Sequence, residues 1–291
     1  MKKEIMVAIL VLFGAVAPAF AQDVNDIHGT VGVTYDTKYM WRGIVVYGAD
    51  TAIHPFIDLD LMGTGFHLEV IGHRANAGGH EESERWDYSL YYMNALNAGE
   101  TWETRYMVGY RYFNYPDLSS HTKDSFDLQE VYAGLSFPKV LGVQGLVPTY
   151  VLLKTWPSNS GTAVGSANPN GGTYAGCAHV FMLDYALPVA GFTAETPEQI
   201  LNFHIETVYN DGVDPRPFGG YTDSDWTHVM MGVSTDFDLG NNVTFTPGLY
   251  HQVTFEDNGA KGPAVPVGGT YQGVSPDHDI TWASATLKYK F

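Results

Sequence analysis

The chain has 291 residues, of which 45% are apolar and only 16% charged, and its formal net charge is −17. Its hydrophobicity excludes disorder. Nucleic-acid binding is excluded as well, because phosphate contacts need Lys and Arg and 15 of these face 32 Asp and Glu. Average chains carry about 25% charged residues, so this one is charge-poor, and it is rich in Tyr (19) and Gly (32). The composition implies that something other than water covers part of the surface.

The chain begins with an export signal. Lys2 and Lys3 precede an apolar run from Ile5 to Ala17, too short to span a bilayer, and Ala19-Phe20-Ala21 supplies a small-residue cleavage site. Residues 1–21 are expected to be removed, leaving 22–291 as one domain with net charge −18. The single Cys177 has no internal disulfide partner, so an exported chain must be stabilised by other means.

After the signal no apolar stretch reaches the roughly 18 residues of a membrane helix. Alternation recurs instead. Its pattern predicts twelve strands at 29–43, 53–62, 65–75, 85–96, 101–114, 125–137, 146–156, 177–188, 199–210, 226–238, 242–255 and 279–291. Connections at 62–65, 97–100 and 239–242 are short, and those at 138–145 and 188–198 somewhat longer. Longer polar stretches fill 76–84, 114–124, 157–176, 210–225 and 256–278, while the first connection, 47–51, reads as short. Short turns at one end and long loops at the other predict an all-β chain, a transmembrane antiparallel β-barrel of about twelve strands. A soluble sandwich or secreted barrel would alternate too.

The last segment places Ala283, Ala285, Leu287, Tyr289 and Phe291 on one face. An alternating terminal strand ending in Phe resembles the C-terminal signal of bacterial outer-membrane barrels, with Leu287, Tyr289 and Phe291 read by the insertion machinery. Trp41, Trp86, Trp102, Trp226 and Trp282 fall near strand ends and are expected to anchor in the aromatic girdles. Location in the outer membrane of a Gram-negative cell follows, with lipid and lipopolysaccharide as surroundings.

In such a barrel the apolar parity faces lipid and the polar parity the lumen. Asp36, Lys38 and Arg42 point inward from the first segment, with Tyr35, Tyr39 and Trp41 outward. Asp58 and Asp60 line the second, and His67, Glu69 and His73 the third. Glu103, Arg105 and Arg111 line the fifth, His204 and Glu206 the ninth, and Lys288 and Lys290 the last. The segment 146–156 has no clear parity. Charges of both signs in the lumen are compatible with a salt-bridge network or with a selective pore. Eight strands give a filled barrel and sixteen a channel, so size does not decide. No strand carries a basic ladder, and excess acid lies in loops, as at Glu81, Glu82 and Glu84, or Asp211, Asp214, Asp223 and Asp225. Weak cation preference is the expectation.

No enzyme, cofactor or metal is predicted. His204 and Glu206 share a face and match a base and its orienter, but no nucleophile adjoins them. His73, His80, Glu81 and Glu82 match no established metal spacing.

The stretch Tyr35-Asp-Thr-Lys-Tyr-Met-Trp-Arg-Gly-Ile44, with Pro55 beyond it, resembles the opening of the TorF-like porins of the outer membrane. Weaker echoes lie in 106–116 and 130–135, so the likeness spans about residues 30–137. It implies a porin-like role without naming a solute. In this reading Trp41 sits at the interface, Arg42 enters the lumen and Gly43 permits the bend into the first loop. The expected function is passive diffusion of small hydrophilic solutes. A closed barrel acting through its long loops, and a barrel hydrolase, are the alternatives.

Overall fold

The computed structural model describes residues 27–117, 127–158, 176–193, 196–212, 224–255, 263–267, 270–273 and 279–291. The expected export signal, Asp214 and Asp223 lie outside these residues. Twelve strands form the barrel: β1 (His28–Asp36), β2 (Ala52–Asp60), β3 (Phe66–Ala75), β4 (Arg85–Leu96), β5 (Thr104–Asn114) and β6 (Leu128–Ser136), followed by β7 (Leu146–Pro157), β8 (Gly176–Thr193), β9 (Thr196–Asp211), β10 (Asp225–Thr235), β11 (Val243–Thr254) and β12 (Ile280–Lys290). Each pairs antiparallel with its sequence neighbour, and β1 pairs β12 from Thr30↔Lys290 to Asp36↔Ser284, closing the sheet. Backbone bonds of 3.0 Å in both directions between Gly29 and Phe291 finish that seam. Closure leaves no unpaired edge, which a membrane-spanning sheet requires.

The outward parity is apolar and uncovered. Val31, Val33, Leu68, Leu90, Val108, Phe203, Ile205, Leu287 and Tyr289 are all exposed, the arrangement expected where lipid replaces water. Short turns join the strands at the end that holds both termini. There Asn241 and Asn242 adopt φ of 51° and 63°, left-handed conformations that Asn tolerates.

Glycines packed against aromatic rings, across strands or along one, occupy part of the inner surface. A Cβ on Gly109 would collide with the Tyr132 ring, and one on Gly232 or Gly248 with Tyr250, whose ring stacks at 5.4 Å on Trp282. Glycine is required at such points because the neighbouring ring occupies the side-chain position.

Three expectations need correction. The first segment does not run as one strand to 43: β1 stops at Asp36, and residues 37–51 form a loop containing the hairpin Met40–Trp41/Ile44–Val45. This loop is therefore not short. Most of the connection expected at 188–198 is strand, because β8 and β9 remain paired past Pro188↔Ile200 as far as Thr193↔Thr196. Pro188, which has no N–H, lies within the strand. On its other side β8 pairs β7 only as far as Tyr185↔Leu146, so Pro188 interrupts no ladder there. Finally, β7 does have a parity, with Thr149, Val151, Leu153 and Thr155 inward. Val151 and Leu153 pack with Tyr132, Ala178, Val180 and Val208 in an apolar cluster on the inner wall. Where the lumen is itself apolar, the contrast between faces vanishes.

Candidate functional site

The first loop folds into the barrel. In its hairpin Trp41 pairs Ile44, and Arg42 and Gly43 between them have φ of 51° and 83°. Positive φ at both central positions is the type I′ turn that suits a two-residue hairpin. Glycine enters it freely, whereas arginine does so at a cost. At the tip Arg42 reaches β6 and β7, ion-pairing with Glu130 and donating to Thr155 Oγ1 at 3.1 Å. Gly43 O accepts from Gln252 Nε2 of β11 at 2.9 Å, so the hairpin bridges opposite walls. Glu130, Thr155 and Gln252 are almost fully buried, and Thr155 Oγ1 also donates to Glu130 at 2.8 Å.

The base of the loop seats on aromatic and charged groups of β2 to β5. Tyr39 stacks on His73 at 4.9 Å and leans on His54 at 4.6 Å, and its hydroxyl accepts from Arg85 Nη2 at 2.9 Å. Arg85 grips Asp87 with bonds of 2.6 and 3.0 Å. Tyr47, fully buried, donates to His73 O at 2.8 Å. The Trp41 ring lies 4.5 Å from the Arg85 guanidinium and 5.0 Å from that of Arg42. Cation–π contacts of this kind each contribute about 0.5–2 kcal/mol when shielded from water.

Two of the expected interface tryptophans are thus misplaced. Trp41 is inside, against two arginines, because its segment leaves the sheet after Asp36. Tyr39 is inside for the same reason. Trp282 shares the inward parity of Ser284 and Thr286 and is buried against Tyr250. Trp86, Trp102 and Trp226 do lie outward. Trp102 is 69% exposed at the short-turn end, and Trp226 packs on Phe181 and Tyr209.

Beneath the hairpin lies a cavity of about 340 Å³. Its wall includes Asp36, Arg42, His54, His73, Glu206 and His228. Of the expected lumen residues, Asp36, Arg42, His73 and Glu206 meet here. Glu206 does not orient His204, as the shared face suggested. His204 Nδ1 binds Asp184 Oδ1 at 2.6 Å, while Glu206 faces His228 Nε2 at 3.5 Å. A second inward group joins Asp58 to His67 Nδ1 at 3.2 Å and Tyr91 to Asp58 at 2.8 Å, and Arg111 approaches Glu69 at 3.6 Å.

Other expected pore residues serve turns and loops. Lys38 donates to the first loop's own carbonyls at Gly48 and Ala49, at 3.2 and 2.7 Å. Asp60 accepts from Gly63 N at 2.9 Å in the first short turn. Lys288 sits 3.4 Å from Asp236 toward the short-turn mouth, and Lys290 is exposed at the strand end. In the long-loop region His80 Nε2 binds Asp50 at 2.8 Å, and Glu81 accepts from Gly79 N at 3.0 Å.

Glu103 clasps the short-turn end: Gly99 N donates to it at 3.0 Å, Lys139 Nζ lies at 3.1 Å and Arg105 Nε at 3.0 Å. These donors, the Gly99 amide first, then Lys139 and Arg105, hold its carboxyl down to about 2. A depressed carboxylate stabilises the fold above its unfolded value near 4.3, and that contribution disappears as pH falls from there through about 2. Glu103→Gln is therefore expected to flatten the acid limb of the stability curve between about pH 4 and 2, read as the denaturant midpoint in micelles. An unchanged slope would refute the clasp.

Sequence reasoning passed over His54, Arg85, Asp87, Glu130, His228 and Gln252. Parity was enough to find some of them. Arg85, Asp87 and Ser89 alternate with Trp86, Tyr88 and Leu90, and Glu130 alternates with Val131. What no local pattern carried was their partner, a loop that is distant in sequence from most of them, as the Arg85–Tyr39 and Gln252–Gly43 separations of 46 and 209 show.

No family model matches the chain, and no curated protein sequence does. Among solved structures, the NanC porin superposes with a TM-score of 0.52 at 9% identity, over 90% of this chain and 100% of that one. The KdgM porin, solved in complex with disordered oligogalacturonate, gives 0.46 at 9%, over 90% and 99%. LpxR from Salmonella typhimurium gives 0.42 at 8%, over 90% and 100%. At these identities the likeness is one of fold. The chain is a closed twelve-stranded antiparallel β-barrel whose fold neighbours are outer-membrane barrels.

Proposed function

We propose that the protein is a channel of the bacterial outer membrane that passes small hydrophilic solutes by diffusion, with weak cation preference. The observation that carries this reading is the cavity of about 340 Å³ beneath the inward hairpin, into which Asp36, Arg42 and Glu206 bring charge and where a filled barrel would have packed side chains. The resemblance of residues 35–44 to TorF-like porins supports it, since that stretch is the one that turns into the lumen. In this reading Asp36, Arg42, Asp58, His67, Glu69, His73, Arg111, His204 and Glu206 line the path. Glu103, Arg105, Lys288 and Lys290 stand at its inner mouth. The short-turn end faces the periplasm. Trp86, Trp102 and Trp226 seat in the interfaces, the long loops meet lipopolysaccharide, and Leu287, Tyr289 and Phe291 form the assembly signal after cleavage at Ala21.

Cation preference is assigned to Glu206. Arg42 is matched by Glu130 and Arg85 by Asp87, whereas Glu206 borders the cavity with no Arg or Lys ion-paired to it among the described residues, His228 lying at 3.5 Å. The refolded protein in planar bilayers is expected to give discrete conductance steps in KCl, with reversal potentials favouring K⁺. Glu206→Gln should lose that preference. Absence of conductance at every voltage would reject the channel, and an unaltered reversal potential in Glu206→Gln would reject the assignment. A closed barrel is the second reading, favoured by the hairpin's bonds to opposite walls, and the same recording separates the two.

A further inference from the structure

One row of polar side chains runs along the inner wall across four strands: Asp36 on β1, His54 on β2, His73 on β3, and Asp87 with Arg85 on β4. His54 Nε2 lies 3.2 Å from Asp36 Oδ2, the two Nδ1 atoms of His54 and His73 are 2.9 Å apart, and His73 Nε2 lies 3.2 Å from Asp87 Oδ2. A neutral imidazole has one donor nitrogen and one acceptor, so the row can be solved from one end.

Asp87 takes two bonds from Arg85 and is an anion, able only to accept. His73 therefore donates from Nε2 and accepts at Nδ1. His54 must then donate from Nδ1, which leaves its Nε2 bare when the ring is neutral. A bare nitrogen would face the Asp36 carboxylate, lone pair against lone pair. In agreement with this, His54 Nε2 and Asp36 Oδ1 are buried without a hydrogen bond among the described residues.

We infer that the Asp36–His54 contact holds one bound proton, beyond those of two neutral histidines and two carboxylates. With it the contact becomes a hydrogen bond, and the row from Asp36 to Arg85 is electrically neutral inside the wall. A buried row is stable only when each member is satisfied, and this proton satisfies the last one. The other titratable groups facing the row, among the described residues, are Tyr39 over both rings, the Tyr47 hydroxyl on His73 O, Tyr115 at Arg85 Nη1, Tyr250 of β11 beside Asp36, and Arg42, Glu206 and His228 around the cavity.

The row is also the seat of the first loop, through Tyr39 and Tyr47. Losing the proton sets two lone pairs against each other at Asp36–His54. Adding a second, on His73, sets two N–H groups against each other at His54–His73. Both displace the Tyr39 seat, so docking of the loop is strongest between the two events. This holds whether or not the barrel conducts.

Hydrogen–deuterium exchange of residues 37–51, corrected for intrinsic rates between about pH 4 and 10, tests it in the full-length protein. Protection should be bell-shaped in pH. Asp36→Asn, which donates permanently to His54, should lose the alkaline limb and keep the acid one. His54→Gln, which removes the facing ring, should flatten both limbs. Folding of each variant is followed separately by heat-dependent migration on gels. Protection independent of pH in the native protein, or a bell that survives in both variants, would overturn the inference.

Discussion

Replacing Glu130 by Ala is expected to release the first loop from the lumen. The substitution strands the Arg42 guanidinium in a site where its side chain is only 15% exposed, with Thr155 as its one remaining hydrogen-bond partner among the described residues. Breaking one side of a buried ion pair costs about 3–5 kcal/mol, because the surviving charge is left largely buried without a counter-ion. Arg42 also holds a left-handed φ of 51°, which a non-glycine residue keeps only while its surroundings enforce it. With the anchor gone both costs favour withdrawal of the hairpin, and its amides should exchange about 10²-fold faster or more. Arg42→Ala alone leaves Glu130 buried against Thr155. The double variant removes both charges and should recover part of the loss, giving a coupling energy between the two positions. If Glu130→Ala left exchange across 37–51 unchanged, the ion pair would not be the anchor. If the channel reading holds, the same variant should also raise the unitary conductance, since the hairpin no longer narrows the lumen.

Gly232→Val is expected to destabilise the barrel itself. Position 232 faces inward on β10 opposite Tyr250 of β11, and any Cβ there would occupy the space of the tyrosine ring. That ring cannot simply swing aside, because Trp282 stacks on it from β12 at 5.4 Å with an interplanar angle of 17°. Overpacking of this kind costs about 1–3 kcal/mol. Gly134→Ala is the matched control. A Cβ there would lie 3.4 Å from Val151 Cγ2, an ordinary van der Waals contact, so a near-neutral effect is expected. Unfolding midpoints of the two variants in lipid vesicles should therefore separate. Equal midpoints would mean that the glycine–aromatic pairing is incidental.

Much of the barrel was legible because lipid and lumen impose opposite chemistry on alternate residues. Val31 and Val33 against Thr34 and Asp36, or Leu287 and Tyr289 against Lys288, reveal strand and face together. The rule failed wherever that contrast was absent. β7 turns Val151 and Leu153 inward onto an apolar wall, and its two faces look alike. Trp282 was assigned by its nearness to a strand end, although the parity of its own strand turns it inward.

The candidate site was legible in its residues and not in its connections. Tyr39, Trp41 and Arg42 continue the period of β1 past Asp36, so alternation alone reads them as more strand. The Arg42-Gly43 turn marks a hairpin, yet a local turn does not say which way the hairpin points.

By itself the sequence determined the number of strands and the apolar outer face, since each follows from the order of polar and apolar residues along single segments. Only the tertiary structure decided where the first loop goes. Its direction depends on a guanidinium finding Glu130 88 residues away and a carbonyl finding Gln252 209 residues away. Charge pairing across a lumen is set by proximity in space, and period-two alternation records only the face on which each charge begins.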